Sequence, residues 1–299
     1  MFKFSWKRLG IAAGLSLSLV AAGCGADEGS EGGDTGNNSE EASKEIELSY
    51  VEWATEVAST NVVATVLENQ GFEVEVTPLD NAVMWQSVAT GETDGMVAAW
   101  LPGTHGDLYA EHKDQLEDLG TNLEGAKIGM VVPKYMDVNS IEDLDAQADQ
   151  TITGIEAGAG VVKATEKAVE QYPNLDGWTV QTSSSGAMAT ALGEAIENEE
   201  PIIVTGWSPH WKFQKYDLKY LEDPKGVYGE AEEIKTMVRS DLKEDMPNAY
   251  KILDQFQWSS ADIEAVMLAI ENGASPEDAA ATWVEENQDK VSEWTKGVE

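Results

Sequence analysis

Two stretches of this chain pair tryptophan with histidine across a proline turn. They are GMVAAWLPGTH, residues 95–105, and PIIVTGWSPHW, residues 201–211. In each, an apolar run reads as a buried strand that ends on a tryptophan, Trp100 or Trp207. A Trp-x-Pro turn follows, and then a histidine, His105 or His210. Trp53 closes a third strand pattern in IELSYVEW. In open α/β sheets, ligands bind at the carboxyl ends of strands, which is where these three indoles fall. Three indole faces around one spot make a box for a quaternary ammonium group, which donates no hydrogen bonds and is held by cation–π attraction. For a single strand-end tryptophan, core packing is the competing reading. Three at matching ends of a repeated unit favour the box.

A second feature supplies the opposite pole. TITGIEAGAGVV, residues 151–162, puts Gly154 and Ile155 where a strand gives way to a helix. A Gly-rich turn of this kind presents free backbone N–H groups that favour anions. It is neither a Walker motif nor a dinucleotide fingerprint, since its glycines have the wrong spacing for both. One small carboxylate fits it better than a polyphosphate. His105, five residues beyond Trp100, is positioned to add a hydrogen bond. His210 sits in the tight turn SPHW and reads as structural, and His112 lies among surface charges. A cation box facing a carboxylate cradle describes a site for a betaine.

The elements that must hold these groups repeat. A β-α-β-α-β run leads to Trp100, with helices expected at STNVVATVLENQG (capped by Ser59 or Thr60) and NAVMWQSVATG. A second run of the same plan, from TITGI to PIIVTGW, leads to Trp207. The expectation is an α/β layer fold from two similar units, 46–131 and 132–238, with C-terminal helices over 239–299 packing on them. AKIGMVVPKYM, residues 126–136, lies between the two units. Trp258, Trp283 and Trp294 fall on apolar helix faces and read as packing residues.

The formal charge of −36 argues against nucleic-acid binding and for a soluble monomer. The single cysteine, Cys24, excludes an intrachain disulfide and a Cys-based zinc site. Lys3, Lys7 and Arg8 precede the apolar stretch IAAGLSLSLVAAG, and Cys24 follows directly. That order resembles a bacterial lipoprotein signal, residues 1–23, with Cys24 lipidated; Ala21 stands where leucine is usual. Two acyl chains suffice for stable anchoring. Residues 24–45 carry Gly, Ser, Asn and acid and read as a flexible tether. No G-x-S-x-G elbow accompanies Ser183 to Ser185 and no metal-ligand spacing occurs, so neither catalysis nor a metal or cofactor is expected.

The strings VEWATEVASTNVV, AAWLPGTH, KIGMVVPKYM, ITGIEAGAGVV, SSSGAMATAL and VTGWSPHW together resemble the glycine betaine-binding lipoproteins of ABC-type osmolyte importers in Gram-positive bacteria. The resemblance covers residues 46–299. It implies a type II periplasmic-binding-protein fold with two lobes, a hinge and a ligand cleft, in which AKIGMVVPKYM is the first crossover and EEIKTMVRSD, residues 232–241, the return strand. It implies that Trp53, Trp100 and Trp207 enclose the trimethylammonium group while His105 and the amides of Gly154 and Ile155 hold the carboxylate. It further implies an osmoprotective role at the outer face of the cell membrane, with a permease and an ATPase as partners. Members carry the two halves in either chain order. Proline betaine and carnitine keep both poles and stay open as ligands, with ectoine a further solute. Choline lacks the carboxylate, and an exported enzyme is the alternative of another class.

Overall fold

The computed structural model describes residues 44–298. The expected signal 1–23, Cys24 and the expected tether as far as residue 43 lie outside them; Glu45, assigned to the tether's end, is the first residue of a strand. In the first unit, β1 (Glu45–Tyr50), α1 (Ala54–Asn69), β2 (Glu73–Pro78), α2 (Asn81–Thr90) and β3 (Gly95–Leu101) follow one another as the pattern predicts. Gly91, in the left-handed conformation at φ 74, closes α2. A short α3 (Gly106–His112) leads into the long β4 (Leu116–Pro133). The second unit has β5 (Thr151–Thr153), α4 (Gly160–Gln171), β6 (Thr179–Gln181), α5 (Ser185–Glu197) and β7 (Ile203–Ser208). After α6 (Lys212–Lys215) and β8 (Leu218–Tyr220), the chain returns through β9 (Glu232–Arg239). It ends in α7 (Leu242–Asp245), α8 (Pro247–Gln255), α9 (Ser260–Glu271), α10 (Pro276–Glu286) and α11 (Gln288–Trp294).

The strands form one path in the order β2-β1-β3-β9-β4-β7-β5-β6, with β8 on β4. Reading inward from either edge gives the duplication: β2-β1-β3 then β9, and β6-β5-β7 then β4. The outer pairs are parallel and β9 and β4 run antiparallel to their neighbours. β4 joins the halves. It pairs with β9 as far as Ala126, opposite Glu232, and with β7 from Lys127, opposite Ser208. The first crossover therefore falls where the sequence puts it. The return strand is also where the sequence puts it, as β9 over Glu232–Arg239; it pairs with β3 and β4 in the first half, so it lies there and not in the expected second unit 132–238. Long-range antiparallel pairing leaves no local pattern in the sequence.

Every residue of β3 is buried, as its unbroken apolar run requires. The helices α9 and α10 pack on α1, so the C-terminal segment thickens the first half. There Trp258 meets Trp283 edge-on at 5.7 Å, Trp283 stacks on Trp294 at 5.6 Å, and Phe256 touches Trp258 and Trp294. These are packing tryptophans. Helix α1 begins five residues before the expected cap, at Ala54, and Ser59 and Thr60 are buried inside it. Among the described residues no helix is long and apolar enough to cross a membrane.

Candidate functional site

The ends of β1, β3 and β7 converge on one cavity between the halves. Trp53, Trp100, Trp207, His105 and Ile155 line it, with Thr55, Thr104, Ile128 and the first residues of α4. It has room for one compact solute. Its exposed lining is almost wholly apolar. Each tryptophan is at least nine-tenths buried. Trp100 and Trp207 hold equivalent places in the duplicated plan, and each is followed after one residue by a cis proline, Pro102 or Pro209.

His105 is fixed by Trp100. Its N–H donates to the Trp100 carbonyl at 2.9 Å, and its Nδ1 accepts the Trp100 N–H at 3.2 Å. An accepting Nδ1 carries no proton, so the neutral ring keeps its proton on Nε2. Burial, with the positive Lys163 second, pushes the imidazole down to about 3, so it is neutral at physiological pH. Nε2 is buried and has no hydrogen-bond partner among the described residues. A buried donor without an acceptor is costly, and a ligand carboxylate would satisfy it. The ring stacks on Trp53 at 6.1 Å and meets Trp85 edge-on at 5.9 Å, which fixes its plane.

Of the two amides nominated by the sequence, the structure leaves one free. The Gly154 N–H donates to the Gln181 carbonyl at 2.8 Å, continuing the β5–β6 ladder by one residue, and Gly154 does not line the cavity. The expectation that Gly154 offers a free donor is corrected on that ground. Ile155 lines the cavity, and its N–H has no acceptor among the described residues. Ala159, Gly160 and Val161 open α4 on the same wall, so the positive end of the helix faces the cavity.

Two contacts tie the walls together, and the sequence signalled neither. Trp53 Nε1 donates to Glu156 Oε2 at 2.9 Å, and the Ser185 N–H donates to Glu156 Oε1 at 3.0 Å. Glu156 thus holds an indole of the first half against α5 of the second. Nothing distinguishes one acid in a chain with 55 of them, apart from its place directly after Ile155. The second contact is Thr104 against Gly160, where an added Cβ would collide with the Thr104 carbonyl oxygen. Lys215–Glu271 at 2.5 Å and Gln214–Glu264 at 2.8 Å join α6 to α9 farther out.

His210 is buried in its own turn, where Nδ1 accepts the Lys212 N–H at 3.2 Å and the ring meets Trp207 edge-on at 4.7 Å. That agrees with a structural role. The fully buried Lys212 holds Nζ 4.1 Å from the Trp207 ring centroid, and Lys212 does not line the cavity. Among the described residues no group of three or more His, Cys, Asp or Glu side chains is placed to hold a metal.

An α/β protein built from duplicated halves, with a small aromatic cavity where they meet, is a solute-binding protein. Residues 44–286 match the family described as the substrate binding domain of ABC-type glycine betaine transport systems, and the chain belongs to it. A glycine betaine/carnitine transport binding protein of Listeria monocytogenes is 52% identical over 159 residues. That alignment takes in 53% of each protein, so the chain spans about half the length of this curated relative. Lactococcal OpuAC, crystallised closed with glycine betaine, superposes with a TM-score of 0.82 at 55% identity, over 84% of this chain and 99% of that one. A choline-binding protein in complex with choline gives 0.79 at 28% identity, over 85% of this chain and 92% of that one. The fold is the mixed α/β fold of periplasmic substrate-binding proteins. These relatives are transport proteins.

Proposed function

We propose that this protein captures glycine betaine outside the cell and delivers it to the membrane subunits of an ABC importer, for osmoprotection. The observation that carries the reading is the cavity itself. It gathers three buried indoles and, beside them, a buried imidazole Nε2–H that has no partner among the described residues. The indoles of Trp53, Trp100 and Trp207 enclose the trimethylammonium group through cation–π attraction and apolar contact. The carboxylate takes the N–H groups of His105 Nε2 and Ile155 and faces the N-terminus of α4. Gly154 supports this turn through its bond to Gln181. Because the cavity walls come from both halves, binding and closure of the halves are linked. The permease and ATPase read the closed form.

Carnitine, which has both poles, is a second ligand; the Listeria relative is a glycine betaine/carnitine binding protein. Choline would leave both carboxylate donors without an acceptor. Lipidation of Cys24, with residues 24–45 as tether, is the proposed anchor, supported by the basic and apolar residues that precede it. Calorimetric titration of the purified protein with glycine betaine, proline betaine, carnitine and choline tests the reading. Saturable binding of glycine betaine well above choline is expected. No binding of any of them would overturn it.

A further inference from the structure

One buried carboxylate outside the cavity connects the site to the junction between the halves. Glu232 is the first residue of β9 and is 4% exposed. Its Oε1 accepts the N–H groups of Gly103 at 2.6 Å and Thr104 at 2.7 Å. Its Oε2 accepts the Thr104 hydroxyl. Three donors on one buried side chain leave the turn 102–105 little freedom, since each lost bond would leave the buried carboxylate short of a donor. The fit is close, for a Cβ at Gly103 would stand 2.8 Å from Oε1.

The place of Glu232 in the sheet gives this clamp its meaning. Glu232 pairs with Ala126, the last residue of β4 to pair with β9; the next, Lys127, pairs with β7. Both passages of the chain between the halves therefore meet at the Ala126–Glu232 pair. The clamped turn carries His105 and sets the Thr104 carbonyl against Gly160 of the other half. We propose that Glu232 is a positioning residue that couples the junction between the halves to the carboxylate pole. A change of angle at the junction then moves Thr104 and His105 as one body. The inference rests on the betaine reading of the cavity and adds to it the part that transmits closure.

The test uses Glu232→Ala and Glu232→Gln in the full chain. Glutamine keeps an acceptor for the two amides, and alanine removes all three bonds. Glycine betaine affinity is measured by calorimetry, and the His105 Nε2–H proton resonance is followed at saturating ligand. The expected result for alanine is an affinity loss of thirtyfold or more, with the ligand-induced shift of the His105 resonance lost. Glutamine should lose three- to tenfold, with the shift reduced. If alanine does not fold, the glutamine variant decides by the same two readouts. An unchanged dissociation constant overturns the proposal. So does a weakened one with the His105 shift intact, because Glu232 would then serve stability alone. A wild-type protein that ignores glycine betaine overturns the ligand reading itself, and this inference with it.

Discussion

Trp53 Nε1 and Glu156 Oε2 meet at 2.9 Å across 103 residues of sequence and across the line between the halves. The bond aims one indole of the cage, and its acceptor is held in turn by the Ser185 N–H at the start of α5. It can exist only when the halves are together. Glu156→Ala is therefore expected to weaken glycine betaine by about tenfold or more, ~1.4 kcal/mol, through faster release. Stopped-flow dissociation checks this, and an unchanged off-rate would remove Glu156 from the closing contact.

Trp100 lines the cavity and is 4% exposed. Replacing it with alanine should cost at least about 1–2 kcal/mol of betaine binding, the scale of one desolvated cation–π face. Trp258→Phe, in the remote cluster, should lower the melting temperature and leave affinity within about twofold. Calorimetry and thermal unfolding on both variants separate cage from packing. Equal effects on affinity would contradict the division.

Gly160 lies against Thr104 with no room for a Cβ. Gly160→Ala is expected to hold the halves apart and reduce affinity at least about tenfold, ~1.4 kcal/mol, with little change in the stability of the ligand-free protein. Small-angle scattering with and without glycine betaine reads the loss of closure directly. Normal compaction on ligand addition would refute the steric argument.

His105 is lowered from its ordinary value near 6.5 to about 3, first by burial and then by Lys163. A group depressed on folding contributes stability that is fully present above its unfolded value and is lost as pH falls toward the folded one. Unfolding free energy should accordingly drop on acidification below about 6.5, by on the order of 2–4 kcal/mol from this residue by pH 4. His105→Asn should flatten that part of the profile, leaving the share of His210, which burial also lowers. Denaturant melts across the range measure it. In the same variant, betaine affinity should fall while a purely cationic ligand is spared; equal losses would sink the assignment to the carboxylate.

The sequence reveals the residues whose types are unusual and hides those whose roles depend on pairing. Tryptophans at strand ends stand out, and so does the Gly-rich turn into α4. Glu156 and Glu232 do not, because an acid on an acidic chain carries no mark until its donors are known. The serine and threonine in α1 misled for a related reason. Ser59 turns its hydroxyl back to the Glu56 carbonyl at 3.3 Å inside the helix, which a cap pattern cannot foresee. The start of α1 is set instead by the turn after β1, where Glu56 Oε2 accepts the Val51 N–H at 2.6 Å. Gly154 stands at a strand end, where the sequence suggests a free amide, and only the register with β6 reveals that this amide is taken.

The crystal structure of the protein grown with glycine betaine tests the central claim most directly. The account predicts the trimethylammonium group in van der Waals contact with Trp53, Trp100 and Trp207. It also predicts a carboxylate oxygen about 3 Å from both His105 Nε2 and the Ile155 N–H. A ligand bound the other way round, or outside this cavity, would contradict it.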